Sequence, residues 1–408
     1  MSHHYCRRLP SREEPFLQDD EKRRPFSPPE IEPKFAADKS CRIRHIRLDL
    51  AIDLSRKSLD GRCSITLAPY GDQATSVELD CVDLTIAGVA GQARGKLPYE
   101  ILKEKLRIRF PSPIKEGEEE ILLIDYCVTE PVKGLYFVEP DEAYPGKPVQ
   151  VWSQNEDEDA RYWFPCFDAP HEKSTTEMVV TVPQGFVALS NGKLLGVEDH
   201  PQDHRRTYHW LQEVPHTTYL VSLVVGQFSE VEKTVDGLPV IHYVPHGREE
   251  DGERSFGKTP DMIRFFSEKI GVPYPYAKYA QVTVSDFIFG GMENTSMTTL
   301  TDLTLHDTRA HLDFSSDGLV AHELAHQWFG NLLTCRHWSD AWLNEGFATY
   351  FDALFKEHDR GENEFRYEMH RMAEEYFKED RERHRRPVVT RLFRQPVDLF
   401  DQIGRAHV

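Results

Sequence analysis

The segment His322-Glu323-Leu324-Ala325-His326 sets two imidazoles four residues apart, with a carboxylate directly after the first. At 3.6 residues per turn, that spacing puts the rings within about 40° on one helix face and about 6 Å apart along the axis, close enough to share one divalent ion. Glu323 is the helix neighbour of His322 and cannot aim the same way. It can stand beside the ion's open position and take a proton from water there, which is the place of a base and not of a ligand. Two surface histidines with a solvated glutamate would look the same in sequence, so a third ligand is required. Glu345, in Trp342-Leu343-Asn344-Glu345-Gly346, follows His326 after 18 intervening residues, on the next expected helix. Three protein ligands and a water make a catalytic zinc site, whereas structural zinc takes four protein ligands. Asp352 lies further along the same helical face as Glu345 and is a candidate partner for the second ring nitrogen of a ligand histidine.

The elements that must position these groups follow from periodicity. Leu48, Leu50, Ile52 and Leu54 alternate with polar residues, as do Leu106, Ile108 and Phe110, the pattern of half-buried strands. Similar short runs separated by Gly, Pro and Asp make residues 39–246 an expected all-β domain. The polar, glycine-punctuated stretch Gly247 to Gly257 reads as a linker. Helices are expected over Pro260 to Ile270, closed by Gly271, and over Asp317 to Leu333, entered through Ser315-Ser316. Two more are expected over Asn344 to His358 and Asn363 to Lys378, so residues 247–402 form a mostly helical domain. Residues 1–38, rich in charge and proline, read as a disordered tail.

Composition narrows the partners. Lys plus Arg number 49 against 68 for Asp plus Glu, a formal charge of -19 over 408 residues, which argues against nucleic-acid binding. The longest apolar runs fall far short of the roughly 20 residues that span a bilayer, so no membrane association is expected. Met1 to Lys39 lacks the apolar stretch of a secretory signal. The seven cysteines are scattered, odd in number and without a C-x-x-C pair, which indicates neither a disulfide framework nor a thiolate zinc site and fits a reducing cytoplasm.

With its distant Glu345, this motif resembles that of the zinc aminopeptidases that include aminopeptidase N and the leukotriene hydrolase, members of the gluzincin metallopeptidases. Gly290-Gly291-Met292-Glu293-Asn294 is similar to a second motif of that family, G-x-M-E-N. Ser153-Gln154-Asn155-Glu156, followed by Asp159-Ala160-Arg161 and Phe164-Pro165-Cys166-Phe167-Asp168, is a third, weaker match. The resemblance covers residues 40 to 402. It implies an α+β chain in which a saddle-like antiparallel β domain precedes a thermolysin-like, mostly helical zinc catalytic domain, incomplete at its C-terminus. It implies one Zn²⁺ per chain on His322, His326 and Glu345, with Glu323 as the catalytic base. It gives Glu293 the substrate's free α-amino group, with Glu156 as partner and Gln154 beside it, and makes Gly290, Gly291, Met292 and Asn294 the substrate-binding strand. Two carboxylates beside such a pocket would hold an ammonium by charge-assisted hydrogen bonds and set the scissile carbonyl at a fixed distance from the metal. The activity implied is removal of N-terminal residues from peptides. A thermolysin-like endopeptidase and a non-catalytic scaffold of the same fold are the alternatives.

The family also places a tyrosine about 85 residues beyond the first ligand, where its hydroxyl stabilises the oxyanion. Here that register falls near His407, and no tyrosine is there. Residues 403–408, Ile-Gly-Arg-Ala-His-Val, match the translation of a common sequencing adapter and read as an artefact of a gene model cut short. Loss of one oxyanion donor costs about 100- to 1000-fold in rate, so the chain as written is expected to bind zinc and turn over poorly.

Overall fold

A computed structural model describes residues 24–405. The first half is built from strands, as its alternation demands. An eight-stranded sheet centres on Cys41–Asp53, whose inward residues Ile46, Leu48, Leu50 and Ile52 are buried while their neighbours face outward. That strand pairs antiparallel with Ser58–Pro69 and parallel with Lys173–Pro183. A three-stranded sheet (Gln73–Asp80, Lys105–Lys115, Tyr99–Ile101) and a four-stranded sheet (Val187–Ser190, Leu223–Gly226, Gln150–Gln154, Gly134–Val138) complete the domain.

The next sheet moves the domain boundary. Ser229–Val235 and Leu238–Val244 pair with each other, and Leu238–Val244 then runs parallel to Tyr279–Val284, followed by Met297–Thr301 and the short edge strand Gly291–Met292. The hairpin assigned from sequence to a β domain ending at residue 246 therefore belongs to the sheet of the second domain. Strand periodicity identifies a hairpin but carries no record of which sheet it joins. The stretch expected as a linker also folds: helix α1 spans Glu249–Phe256, with Glu249, Glu250 and Asp251 in its first turn complementing the helix dipole. Its Gly252 is a packing device and not a breaker, because a Cβ there would lie 2.8 Å from Val244 Cγ1.

Helix α2 (Thr259–Ile270) ends as expected at Gly271, whose φ of 77° makes the left-handed cap. Helix α3 (Asp317–Ala325) is shorter than expected and gives way after His326 to a series of turns. Its entry differs too: Ser315 Oγ accepts from the Asp317 N–H, while the Ser316 hydroxyl donates to the Thr304 carbonyl. Helices α4 (Trp342–Arg360) and α5 (Glu362–Glu382) run slightly longer than expected at both ends, and Gln402–Arg405 forms the short α6, with Ile403 buried. Helices α1 to α4 cover one face of the five-stranded sheet through Phe256, Met262, Phe266, Leu324 and Phe355, packed with Trp328 and the strand residue Leu300. A continuous apolar core joins the other face, through Val282, Val284 and Met297, to the β domain. No helix among the described residues is long and apolar enough to cross a membrane.

Residues 24–38, expected within a tail, carry no regular element but lie along the C-terminal segment. The Arg24 N–H donates to Arg383 O and the Lys34 N–H to Arg391 O, and Phe26 packs on His384 under the Arg386 guanidinium. Of the seven cysteines, Cys6 lies outside the described residues; the other six are free thiols.

Candidate metal centre

Helix α3 is lined with small and apolar residues, Val320, Ala321, Leu324 and Ala325, all buried, so it can pass through the interior and present His322 and His326 at its C-terminal end. Helix α4 packs across it and brings Glu345 from its first turn. The two His Nε2 atoms are 3.1 Å apart. Glu345 reaches His322 Nε2 through Oε2 at 3.6 Å and His326 Nε2 through Oε1 at 3.5 Å. His322, His326 and Glu345 thus offer donor atoms within 4.8 Å of one another, the sole such cluster among the described residues.

The donor set fits a zinc ion. His326 Nδ1 lies 2.9 Å from the carbonyl of Phe329, which can only accept, so the ring proton sits on Nδ1 and the Nε2 lone pair faces the cluster. Two imidazole nitrogens and a carboxylate oxygen converging in this way suit a borderline-soft cation with one position left open.

Glu323 is 5 % exposed and its carboxylate lies against the backbone of the edge strand. A Cβ added at Gly291 would sit 2.2 Å from Glu323 Oε1. The second glycine of the Gly-Gly pair therefore makes room for the expected base. Gly290 instead supplies a positive φ of 84°, with no atom nearer than 3.9 Å to a Cβ placed there.

Glu293 follows that strand, with Oε1 3.9 Å from His326 Nδ1. Its carbonyl is held by two side-chain amides, Asn331 Nδ2 at 2.7 Å and Gln327 Nε2 at 3.0 Å. Burial first, and then the charges of Glu293 and of Glu156 from the β domain, push the Tyr219 phenol well above its ordinary range. Gln154 is buried and its Nε2 donates to Met292 Sδ at 3.2 Å. Met292 and Asn294 are buried as well, and Asn294 Nδ2 donates to Thr299 Oγ1, which closes the turn between the edge strand and its neighbour.

A charged network follows Glu156 in the chain. Arg161 bonds Asp168 and Glu158, and the buried Asp168 carboxyl is pushed up to about 7 by desolvation. Asp352 is deeply buried and raised to about 6 by desolvation, but its Oδ2 accepts from Lys356 Nζ at 2.9 Å and not from a ligand histidine. The register expected for the oxyanion tyrosine, near His407, lies outside the described residues.

Two family models cover most of the chain: the peptidase M1 N-terminal domain matches residues 42–220 and the peptidase family M1 domain matches residues 254–405. This chain belongs to the peptidase M1 family. Among curated relatives, aminopeptidase M1 of Arabidopsis thaliana is 31% identical over 352 residues, which cover 80% of the M1 chain described here and 38% of that protein. Aminopeptidase M1-C of Oryza sativa subsp. japonica is 31% identical over 333 residues, 79% of this chain and 37% of that protein. The chain thus spans about two fifths of the length of the curated relatives it matches. Among solved structures, the M1 zinc metallopeptidase from Deinococcus radiodurans shares the fold with a TM-score of 0.73 at 23% identity, over 90% of this chain and 80% of that one. A mutant of the same enzyme bound to a Tyr-Ser-Ala substrate aligns equally well, at 22% identity.

Tyr219, Asn331, Gln327 and Asn344 also converge on this centre, and none was singled out from the sequence. Tyr219 opens an apolar run that reads simply as buried strand, and the three amides stand one to five residues from a metal ligand with no spacing rule to mark them.

Proposed function

We propose that this chain carries the core of a zinc aminopeptidase that removes N-terminal residues from peptides. The observation that carries the reading is the carboxylate of Glu293, with Oε1 3.9 Å from His326 Nδ1 beside the His-His-Glu donor cluster, and Glu156 is the partner carboxylate proposed for it. An internal peptide bond has no cation to offer such a pair, whereas a free N-terminus does. His322, His326 and Glu345 would hold the zinc, which supplies Lewis acidity toward a carbonyl and acidifies a water. Glu323, pressed against Gly291, takes a proton on its carboxylate from the attacking water and returns it to the leaving amine. Glu293 and Glu156 bind the α-ammonium, with the edge strand Gly291–Met292 alongside the substrate backbone. The tripeptide held by the Deinococcus relative is consistent with a peptide substrate of this kind.

The test compares a peptide anilide bearing a free α-amine with its N-acetylated form, with and without chelator. Hydrolysis of the free form alone, faster by about 100-fold or more and abolished by chelation, is expected. Equal cleavage of both forms would assign an endopeptidase instead. A chain that retains no zinc and cleaves neither form would favour the scaffold reading.

A further inference from the structure

The turn after α3 is where the metal ligands, the amine anchor and the β domain meet. It begins at His326, whose carbonyl accepts from the Asn331 N–H at 3.0 Å. Gly330, at φ 126°, passes so close to the ligand that a Cβ would lie 3.1 Å from His326 Nδ1. Asn331, next in line, holds the Glu293 carbonyl. This turn is fastened from outside its own domain. Tyr219, 1 % exposed, donates its hydroxyl proton to the Gly330 carbonyl at 3.1 Å. The Tyr219 hydroxyl oxygen in turn accepts from Asn344 Nδ2 at 3.2 Å, one residue before Glu345 on α4. Asn344 completes the circuit by accepting the Cys335 N–H on Oδ1 at 3.0 Å, at the end of the turn.

A phenol has one proton and one accepting face for these two bonds, and both are used. Each bond fixes the direction of the other. The tyrosine is packed on further sides: its ring meets Trp338 edge-on at 5.2 Å, and the preceding Thr218 donates to the buried Asp168. A second fastening comes from the strand Lys173–Pro183, where Lys173 Nζ donates to the carbonyls of Asn331 and Leu332, both at 2.9 Å.

We propose that Tyr219 is a positioning residue through which the β domain sets the geometry of the metal centre, its hydroxyl joining the backbone behind His326 to the helix that carries Glu345. The consequence is that the β domain contributes to metal retention as well as to the substrate pocket. This rests on the reading of the His-His-Glu cluster as a zinc site, and the test separates the two.

Zinc affinity of the full chain is measured by competition with a chelator, for the parent and for Tyr219→Phe, Asn344→Ala and the double variant. Outer partners of metal ligands are worth about 10- to 100-fold in affinity, and Tyr219 acts one bond further out, so a loss of about tenfold is expected for Tyr219→Phe. The double variant should lose less than the sum of the two single losses, because both substitutions remove the bond between Asn344 and Tyr219. Tyr208→Phe serves as the comparison: it deletes another buried hydroxyl, which donates to Phe186 O at 3.3 Å in the β domain, and should lower stability without moving zinc affinity. Parental zinc affinity in Tyr219→Phe, or an equal loss in Tyr208→Phe, overturns the inference. If Tyr219→Phe does not fold, Asn344→Ala decides, with parental affinity again the refuting result. Failure of the parent itself to bind zinc refutes the metal-site reading, and the inference with it.

Discussion

Gly291→Ala is the sharpest perturbation of the centre, because the three atoms nearest the added methyl group all belong to Glu323. The added Cβ would stand 2.2 Å from Glu323 Oε1, 2.4 Å from its Cδ and 2.7 Å from its Cγ. Non-bonded carbon and oxygen settle roughly 3.3 Å apart, so something must give by about 1 Å. The strand has little freedom to do so, being paired to Met297–Thr301 through Gly291 to Leu300 and Met292 to Thr299. The Glu323 side chain is the softer partner, and its carboxylate swings away. Since a flexible tip yields, the cost in folding is at the low end of overpacking, about 1 kcal/mol. The cost in rate is larger: misplacing a reacting group by about 1 Å loses about 100-fold, or about 2.7 kcal/mol of transition-state stabilisation. The expected result is kcat down about 100-fold with KM and zinc content held, read from steady-state or single-turnover hydrolysis of a free-amine anilide beside a metal assay. Gly290→Ala is the control. Its φ of 84° makes alanine costly for stability, yet its Cβ stays 3.9 Å from the nearest atom, on Leu319. A Gly291→Ala chain with kcat within threefold of the parent would refute the packing argument, and so would a rate loss explained wholly by lost zinc.

Further outcomes follow from the same geometry. Gly134 has φ 75°, and a Cβ there would lie 2.2 Å from the Asp159 carbonyl in the loop that carries Glu156, so Gly134→Ala is expected to raise KM for free-amine substrates more than it lowers kcat; unchanged KM in a folded variant would count against the loop's role. Zinc at about 100 times its Kd should stabilise the fold by about 2.7 kcal/mol, visible as a rise in melting temperature that His326→Ala abolishes; the absence of any zinc-dependent shift in the parent would sink this prediction. Burial lowers His216 and His242 to about 3, well below the ordinary imidazole value. Both stay neutral in the fold and bind protons only on unfolding, so their contribution is fully present above pH ~6.5 and is lost as pH falls toward 3. Between pH 6.5 and 5 the loss is about 2 kcal/mol for each ring. Asp168, raised to about 7, works in the opposite sense over the same range, so the decisive quantity is the difference in pH slope between the parent and His216→Gln, measured from urea midpoints. Equal slopes would refute the assignment.

The His-His-Glu cluster was legible in the sequence because its geometry is local. His322 and His326 share a face on any helix, and Glu345 needed only a second helix to bring it across. The same holds for the alternation of Cys41–Asp53 and for the glycine that ends α2. Where the reading was local but incomplete, packing added to it: Gly291 was read as part of a substrate-binding strand, and the structure also sets Glu323 against it. Asp352 had the right helical phase and a nearer cation, Lys356, took it.

What the chain determined by itself, then, is the pair of imidazoles, the carboxylate between them, the two motifs that flank the cleft, and the succession of a β domain and a helical one. Only tertiary structure decided that the hairpin Ser229–Val244 joins the second sheet, that the polar stretch before α2 becomes a helix, and that Tyr219 and Lys173 reach across to the turn behind the metal ligands. The reason is the range of the interactions. Helix phase and strand alternation are set by neighbours within a few residues, whereas a hydroxyl bonded to a carbonyl more than a hundred positions away leaves no period in the sequence.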